Sequence, residues 1–163
     1  MSNHNYGKKF EDIIKDSFSL LDVDVQRLYD TTNGFTGIKQ PSDFIIYKYP
    51  YQYYVECKCT WDNTFHQSKI PQLMELAKKS LINGVVAGAM IWFIKHDTTV
   101  FIPVETLVKH YYNNSSVNIK QIQNNTLSEA GKYFTIQGQK KRIFFEYDMI
   151  KFFEEVENWM RTK

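Results

Sequence analysis

Two cysteines, four prolines and seven glycines among 163 residues leave little room for several protein classes. Two thiols cannot staple a small secreted fold, and without a second pair they lack the spacing of a four-ligand zinc site. Cys57 and Cys59, two apart in an expected strand, read instead as buried free thiols on one side. Scarce Gly and Pro exclude collagen-like and low-complexity chains. Long apolar runs are also lacking: the longest, residues 85–94, is too short to span a bilayer, and the first residues do not lead into the apolar stretch of a secretory signal. A cytoplasmic protein without a membrane partner is the expectation. Arginine is rare, seventeen of the twenty basic residues being lysine, so point-charge contacts to phosphate come more readily than forked recognition of a base. Neither a Gly-X-Ser-X-Gly elbow nor a phosphate-binding glycine loop is present, which sets aside serine hydrolases and P-loop nucleotide hydrolases.

What is present favours one folded domain over residues 1–163. Hydrophobic residues make up 43 % of the chain, and 12 Phe, 11 Tyr and 3 Trp supply bulky core material. The net charge of +2 conceals uneven placement. Residues 1–46 balance at −2, 47–68 at zero, 69–142 at +6 with ten basic against four acidic groups, and 143–163 at −2. A phosphate-bearing partner is compatible with that distribution.

Periodicity outlines a mixed α/β domain. Residues 6–21 carry Phe10, Ile13, Ile14, Phe18 and Leu21 on a helical stripe, 23–29 read as a strand, and 31–40, with Gly34 and Gly37, as a loop. Residues 43–47 and 52–58 flank a turn at 48–51, predicting a hairpin whose opposed partners sum to 99. That register sets Tyr47 against Gln52, Ile45 against Tyr54, and Asp43 against Glu56. A helix follows from Lys69 or Pro71 to Leu81, capped by Ser68, with Leu73, Leu76, Ala77 and Leu81 as its apolar flank. Residues 85–94 read as a central strand in which Gly88 permits close backbone approach, 100–102 as another strand, 104–112 as a short helix and 148–160 as the last helix. Residues 113–125 carry no clear pattern.

The register gathers chemistry on one patch. Opposed Cβ atoms in a sheet stand about 4.5–5.5 Å apart, so Asp43 and Glu56 repel one another, and Lys58 shares their face. A hard divalent cation such as Mg²⁺, with Mn²⁺ substituting, relieves that repulsion by taking oxygen ligands from both acids. Glu11, on the border of the first helix's apolar stripe, is a third candidate ligand. Lys58 reads as a group that orients or deprotonates water, or that stabilises charge on an attacked phosphate, and Gln72 as a neutral amide that orients water or a phosphate oxygen. Lys8, Lys9, Lys39, Lys69, Lys78 and Lys79 are candidate contacts to the phosphates of a nucleic acid. Tyr49, Tyr51, Tyr53 and Tyr54 divide between stacking surface and core, and His66 reads as a local hydrogen-bonding residue.

Taken together, Gly7-Lys8-Lys9-Phe10-Glu11, Pro41-Ser42-Asp43, Glu56-Cys57-Lys58 and Ile70-Pro71-Gln72 resemble the PD-(D/E)XK nuclease superfamily, and within it the RecU Holliday-junction resolvases. The resemblance covers roughly residues 6–102. It implies a restriction-endonuclease-like core, a central mixed β-sheet flanked by helices. It also implies active-site positions at Glu11, Asp43, Glu56, Lys58 and Gln72, Mg²⁺ dependence, a homodimer and cleavage of four-way DNA junctions in recombination and repair, so that the nucleic acid met by the six candidate lysines is DNA. Pro71 stands where the family has His, and the short stretch before Asp43 leaves little room for the family's projecting stalk, as in a compact phage or mobile-element version. A restriction- or repair-type endonuclease on duplex DNA, a non-cleaving DNA-binding module and a protein-interaction module are the alternatives.

Overall fold

The computed structural model describes residues 3–28 and 40–163. The expected loop at 31–40 therefore falls, apart from Gln40, outside the described residues, and Lys39 with it. In chain order the elements are α1 (Asn3–Ser19), β1 (Asp24–Arg27), β2 (Phe44–Lys48), β3 (Tyr51–Thr60), β4 (Thr64–His66), α2 (Leu73–Ser80), β5 (Val85–Phe93) and β6 (Thr98–Pro103). Then come α3 (Val104–Asn113), β7 (Ser116–Asn118), α4 (Ile119–Gln123), β8 (Phe134–Thr135), β9 (Gly138–Lys141), β10 (Phe144–Tyr147) and α5 (Met149–Arg161).

Six strands form one sheet in the order β1-β2-β3-β5-β6-β8. β3 and β5 run parallel and every other neighbouring pair is antiparallel, so the sheet is mixed. The parallel pair requires a crossover, which α2 supplies. Alternation along β3 divides the core. Tyr53, Val55 and Cys57 join Phe10, Ile14 and Phe18 of α1 and Phe152, Phe153 and Val156 of α5 on one face. Tyr54 joins Leu73 and Leu76 of α2 and Leu107 and Tyr111 of α3 on the other. Burying each large apolar side chain contributes about 1.5–3 kcal/mol. All nine residues of β5 are buried, as a strand covered on both faces requires.

The hairpin register agrees with the sum rule from Phe44↔Val55 to Lys48↔Tyr51. Gly88 earns its place through crowding: a Cβ there would lie 2.5 Å from the Ile102 carbonyl oxygen and 2.7 Å from the Phe101 ring.

Several boundaries differ from the sequence expectation. Ser68 does not cap α2: residues Gln67–Lys69 form a separate 3₁₀ turn, and Gln72 is the N-cap. Pro71 lies before that cap, because the chain must turn once more before the helix axis is set. Leu81 is 85 % exposed at the helix end and contributes nothing to the flank made by Leu73 and Leu76. Cys57 is buried as expected, but Cys59 is only half-buried. The patternless 113–125 segment holds β7, which pairs with β4, and α4, which begins with a capping box. There the Asn118 side chain accepts from the Lys120 N–H at 2.9 Å while Gln121 Oε1 accepts from the Asn118 N–H at 2.8 Å.

Candidate active site

The site is assembled where β2, β3, α1 and β1 meet. Asp43 immediately precedes β2, and extending the observed register by one step sets it opposite Glu56. Ser42 fixes the entry to the strand, its buried hydroxyl donating to the Phe44 carbonyl at 2.8 Å. Asp43 is held at both ends: its Oδ2 accepts from the Cys57 N–H at 2.7 Å and its carbonyl accepts from the Leu28 N–H at 2.8 Å.

Glu56 is the most constrained member. It pairs with Ala89 in the centre of the sheet and is fully buried. Alternation turns it, with Lys58, to the face that carries α2. Lys58 Nζ donates to Glu56 Oε1 at 2.5 Å, whereas Glu56 Oε2 is buried with no hydrogen-bond partner among the described residues. An ionised carboxylate oxygen in that condition is costly. Burial and then the neighbouring Asp43 charge push the Glu56 pKa up to about 7, although Lys58 opposes the shift. Burial lowers the Lys58 pKa, but Glu56 and Asp43 outweigh it and the net shift is upward, so Lys58 remains an ammonium at neutral pH.

Glu11 reaches the same group from α1. Burial and then Asp43 raise its pKa, against the opposing pull of Arg27 and Lys58. Three acids and one lysine thus feel one another's charge, and the hairpin arithmetic and helix stripe have placed four residues in one electrostatic unit. Gln72 joins it only by position. It occupies the N-cap position of α2 on the face toward which Glu56 points, its side-chain oxygen buried without a partner among the described residues.

Among the described residues, no three His, Cys, Asp or Glu side chains stand together in metal-ligating geometry. Each acid is instead drawn to a protein donor: Glu11 to Arg27, Asp43 to the Cys57 amide, Glu56 to Lys58. The donor set nevertheless fits a hard divalent cation, since it is all oxygen, carries excess negative charge and includes the unpaired Glu56 Oε2. Cys57 does not belong to it: its thiol points into the core on the opposite face, and burial first, then Asp43, pushes its pKa well up.

Arg27 is the residue that sequence reasoning missed. From β1 its guanidinium donates to Glu11 Oε2 at 2.5 Å and to Asp12 Oδ1 at 2.7 Å, tying two successive acids of α1 to the sheet. A lone arginine within a short strand, in a chain with three arginines, was the available signal.

The lysines divide. Lys8 and Lys9 are exposed on α1. Lys69 lies 3.5 Å from Thr60 Oγ1, beyond the end of β3, and 3.9 Å from Asp62. Lys78 pairs with Glu75 at 2.8 Å in an exposed pair of the kind worth about 0–1 kcal/mol, and Lys79 lies over the Tyr54 ring at 5.1 Å. Tyr53 and Tyr54 are buried, Tyr51 is half-buried and Tyr49 is exposed. His66 lies exposed on β4 opposite Ser116, and its ring makes no hydrogen bond among the described residues, so the expected local hydrogen bond is absent there. Among the described residues no helix is long and apolar enough to cross a membrane.

Comparison with known proteins supports the architecture. No protein-family model matches the sequence, and no curated protein matches it. Among solved structures the chain is similar to Hjc of Archaeoglobus fulgidus, a Holliday junction resolvase from an archaeal hyperthermophile, with a TM-score of 0.55 at 16 % identity. The match covers 77 % of this chain and 100 % of Hjc. At that identity the likeness establishes the fold, and the chain has the restriction-endonuclease-like α/β core, a mixed sheet flanked by helices.

Proposed function

We propose that the protein is a Mg²⁺-dependent, structure-selective DNA endonuclease, and that its substrate is a four-way junction. The observation that carries the reading is Glu56: a fully buried carboxylate, one oxygen on Lys58 and the other unpaired among the described residues, beside Asp43 and within the field of Glu11. A sheet centre tolerates so unfavourable a group when it has a task. Asp43, Glu56 and Glu11 would hold the cation. When bound, such an ion polarises a phosphate and makes water a better nucleophile. The ammonium of Lys58, anchored by Glu56 Oε1, stabilises the extra negative charge that gathers on the phosphate oxygens in the transition state. The unpaired Gln72 Oε1 accepts a hydrogen bond from the attacking water and orients it. Two cuts resolve a junction and one site makes one cut, so the reading calls for a homodimer. The resemblance of the four sequence motifs to RecU and the fold shared with Hjc both support the junction as substrate.

Four-way junctions and sequence-matched linear duplexes, presented at equal phosphate concentration with Mg²⁺, test the assignment. Selective, symmetric cutting of the junction is expected. Equal cleavage of both would replace the resolvase reading with a restriction- or repair-type endonuclease. The engagement of all three acids by protein donors favours a second reading, a DNA-binding module that does not cut. Tight junction binding without cleavage in Mg²⁺ or Mn²⁺ would select it.

A further inference from the structure

The β9–β10 hairpin packs on the α1 side of the sheet, away from the face to which Glu56 and Lys58 point. Its four-residue strands pair from Phe144↔Lys141 to Tyr147↔Gly138, and the two-residue turn is Arg142-Ile143, with Arg142 at φ 61°. The two strands have different fates. β10 is anchored: the Phe144 ring lies 6.1 Å from Tyr6 and 6.0 Å from Trp92, and the buried Tyr147 hydroxyl is 2.8 Å from Thr99 Oγ1. All of β9 is exposed, as are Arg142 and Ile143. A strand seated by aromatic rings thus carries the run Lys140-Lys141-Arg142 into solvent.

Those charges are weakly committed. Lys140 pairs with Asp97 at 2.5 Å and Lys141 with Glu146 at 3.6 Å, all four groups well exposed, where such pairs are worth about 0–1 kcal/mol. Arg142 makes no ion pair among the described residues. Lys9, whose Nζ is 5.8 Å from the Phe144 ring centre, and the exposed Lys8 extend the patch along α1. With the exposed Asp148 that follows β10 counted, five basic groups stand against three carboxylates.

The hairpin's location supplies the second half of the argument. Asp97 lies in the turn after β5, and His96 Nε2 in the same turn is 2.8 Å from Asn63 Oδ1 in the turn after β3. The Lys140–Asp97 pair therefore ties the hairpin to the carboxyl ends of the two parallel strands. Glu56 and Lys58 lie on β3 toward that end, where open α/β sheets place their ligands.

We propose that the β9–β10 hairpin, with Lys8 and Lys9, is a DNA-backbone contact surface that grips an arm of the substrate at the carboxyl end of the parallel strands, on the α1 side of the sheet. This rests on the reading of the protein as one that binds DNA, but not on its cutting DNA. Contacts of this kind are independent of sequence and release counterions, so each phosphate engaged adds about 0.9 to the slope of log affinity against log salt.

The test is fluorescence anisotropy of a labelled four-way junction in EDTA, between about 50 and 200 mM salt. The variant is Lys140→Gln/Lys141→Gln/Arg142→Asn, asparagine being chosen because it tolerates positive φ. The control, Lys109→Gln/Lys120→Gln/Lys132→Gln, removes equal charge elsewhere. The hairpin variant is expected to flatten the salt slope by roughly two to three and to weaken binding about tenfold or more, with the control near wild type. Unchanged slope, or equal losses in both variants, overturns the proposal. If the triple variant does not fold, Lys141→Gln/Arg142→Asn, which keeps the Lys140–Asp97 pair, should lower the slope by up to about two. Wild-type binding that depends on the hairpin without any Mg²⁺-dependent cleavage upholds this surface and removes the nuclease reading. Cleavage by wild type with binding indifferent to the hairpin does the reverse.

Discussion

Lys58 Nζ stands 2.5 Å from Glu56 Oε1, and the other oxygen of that buried carboxylate has no partner among the described residues. The two residues are separated by one position on a strand, so the pleat alone puts them on one face. Cleavage should therefore depend on both. Glu56→Gln and Lys58→Ala are each expected to lower the single-turnover cleavage rate by about 10²–10⁴-fold. Junction affinity should stay within a few-fold of wild type. Retained cleavage in either variant, measured on a junction that still binds, removes that residue from the chemistry.

The same pair gives the metal-free protein a pH dependence of known sign. Glu56 has its folded pKa raised to about 7 from an ordinary value near 4.5, first by burial and then by Asp43. Between those values the folded state holds a proton that the unfolded chain has released, so stability falls as pH rises through the window. The slope from one such group approaches 1.4 kcal/mol per pH unit. Chemical denaturation in EDTA at pH 4.5 and pH 7 should show wild type losing about 1–3 kcal/mol more than Glu56→Gln over that interval. Equal losses would show that the carboxyl titrates normally.

Much of this was readable from residue order. The hairpin sum agrees with the observed pairing from Lys48↔Tyr51 to Phe44↔Val55 because the turn at 48–51 is symmetric, and one further step of that register sets Asp43 opposite Glu56. The stripe Phe10, Ile14, Phe18 oriented α1 and thereby Glu11. Arg27 escaped because its partners lie 16 and 15 residues earlier, across an α–β packing that no local pattern encodes. The start of α2 was misread because Ser68 is a good capping residue by chemistry, yet its backbone is spent in a 3₁₀ turn. The β9–β10 hairpin was overlooked because its exposed strand, Gly-Gln-Lys-Lys, has no apolar alternation to announce it.

Gly88 tests the packing of the sheet that carries the site. Its Cβ position is occupied by the Ile102 carbonyl at 2.5 Å and the Phe101 ring at 2.7 Å, and the carbonyl belongs to a neighbouring strand that cannot rotate away. Gly88→Ala should cost about 1–3 kcal/mol or more in denaturant unfolding despite alanine's better strand-forming tendency. A change within ±0.5 kcal/mol would mean that β5 and β6 separate more easily than this packing allows.

Arg27 combines structure with function, and a cycle of variants separates the two. Its side chain is 9 % exposed and bridges Glu11 and Asp12, so removing it leaves Glu11 facing Asp43 with less compensation and Asp12 without its guanidinium. Arg27→Met should destabilise the metal-free protein by about 3–5 kcal/mol, the range for breaking a well-buried ion pair, or somewhat less because Asp12 is partly exposed. Adding Glu11→Gln and Asp12→Asn removes the uncompensated charges and should recover a large part of that loss, giving strongly non-additive energies. Additive energies would show that Arg27 acts through packing alone. The same variants report on the site: because Arg27 competes for Glu11, Mg²⁺ should raise the melting temperature of Arg27→Met more than that of wild type. The extra increment should vanish when Glu11→Gln is combined with it. An increment that survives Glu11→Gln would place Glu11 outside the cation site.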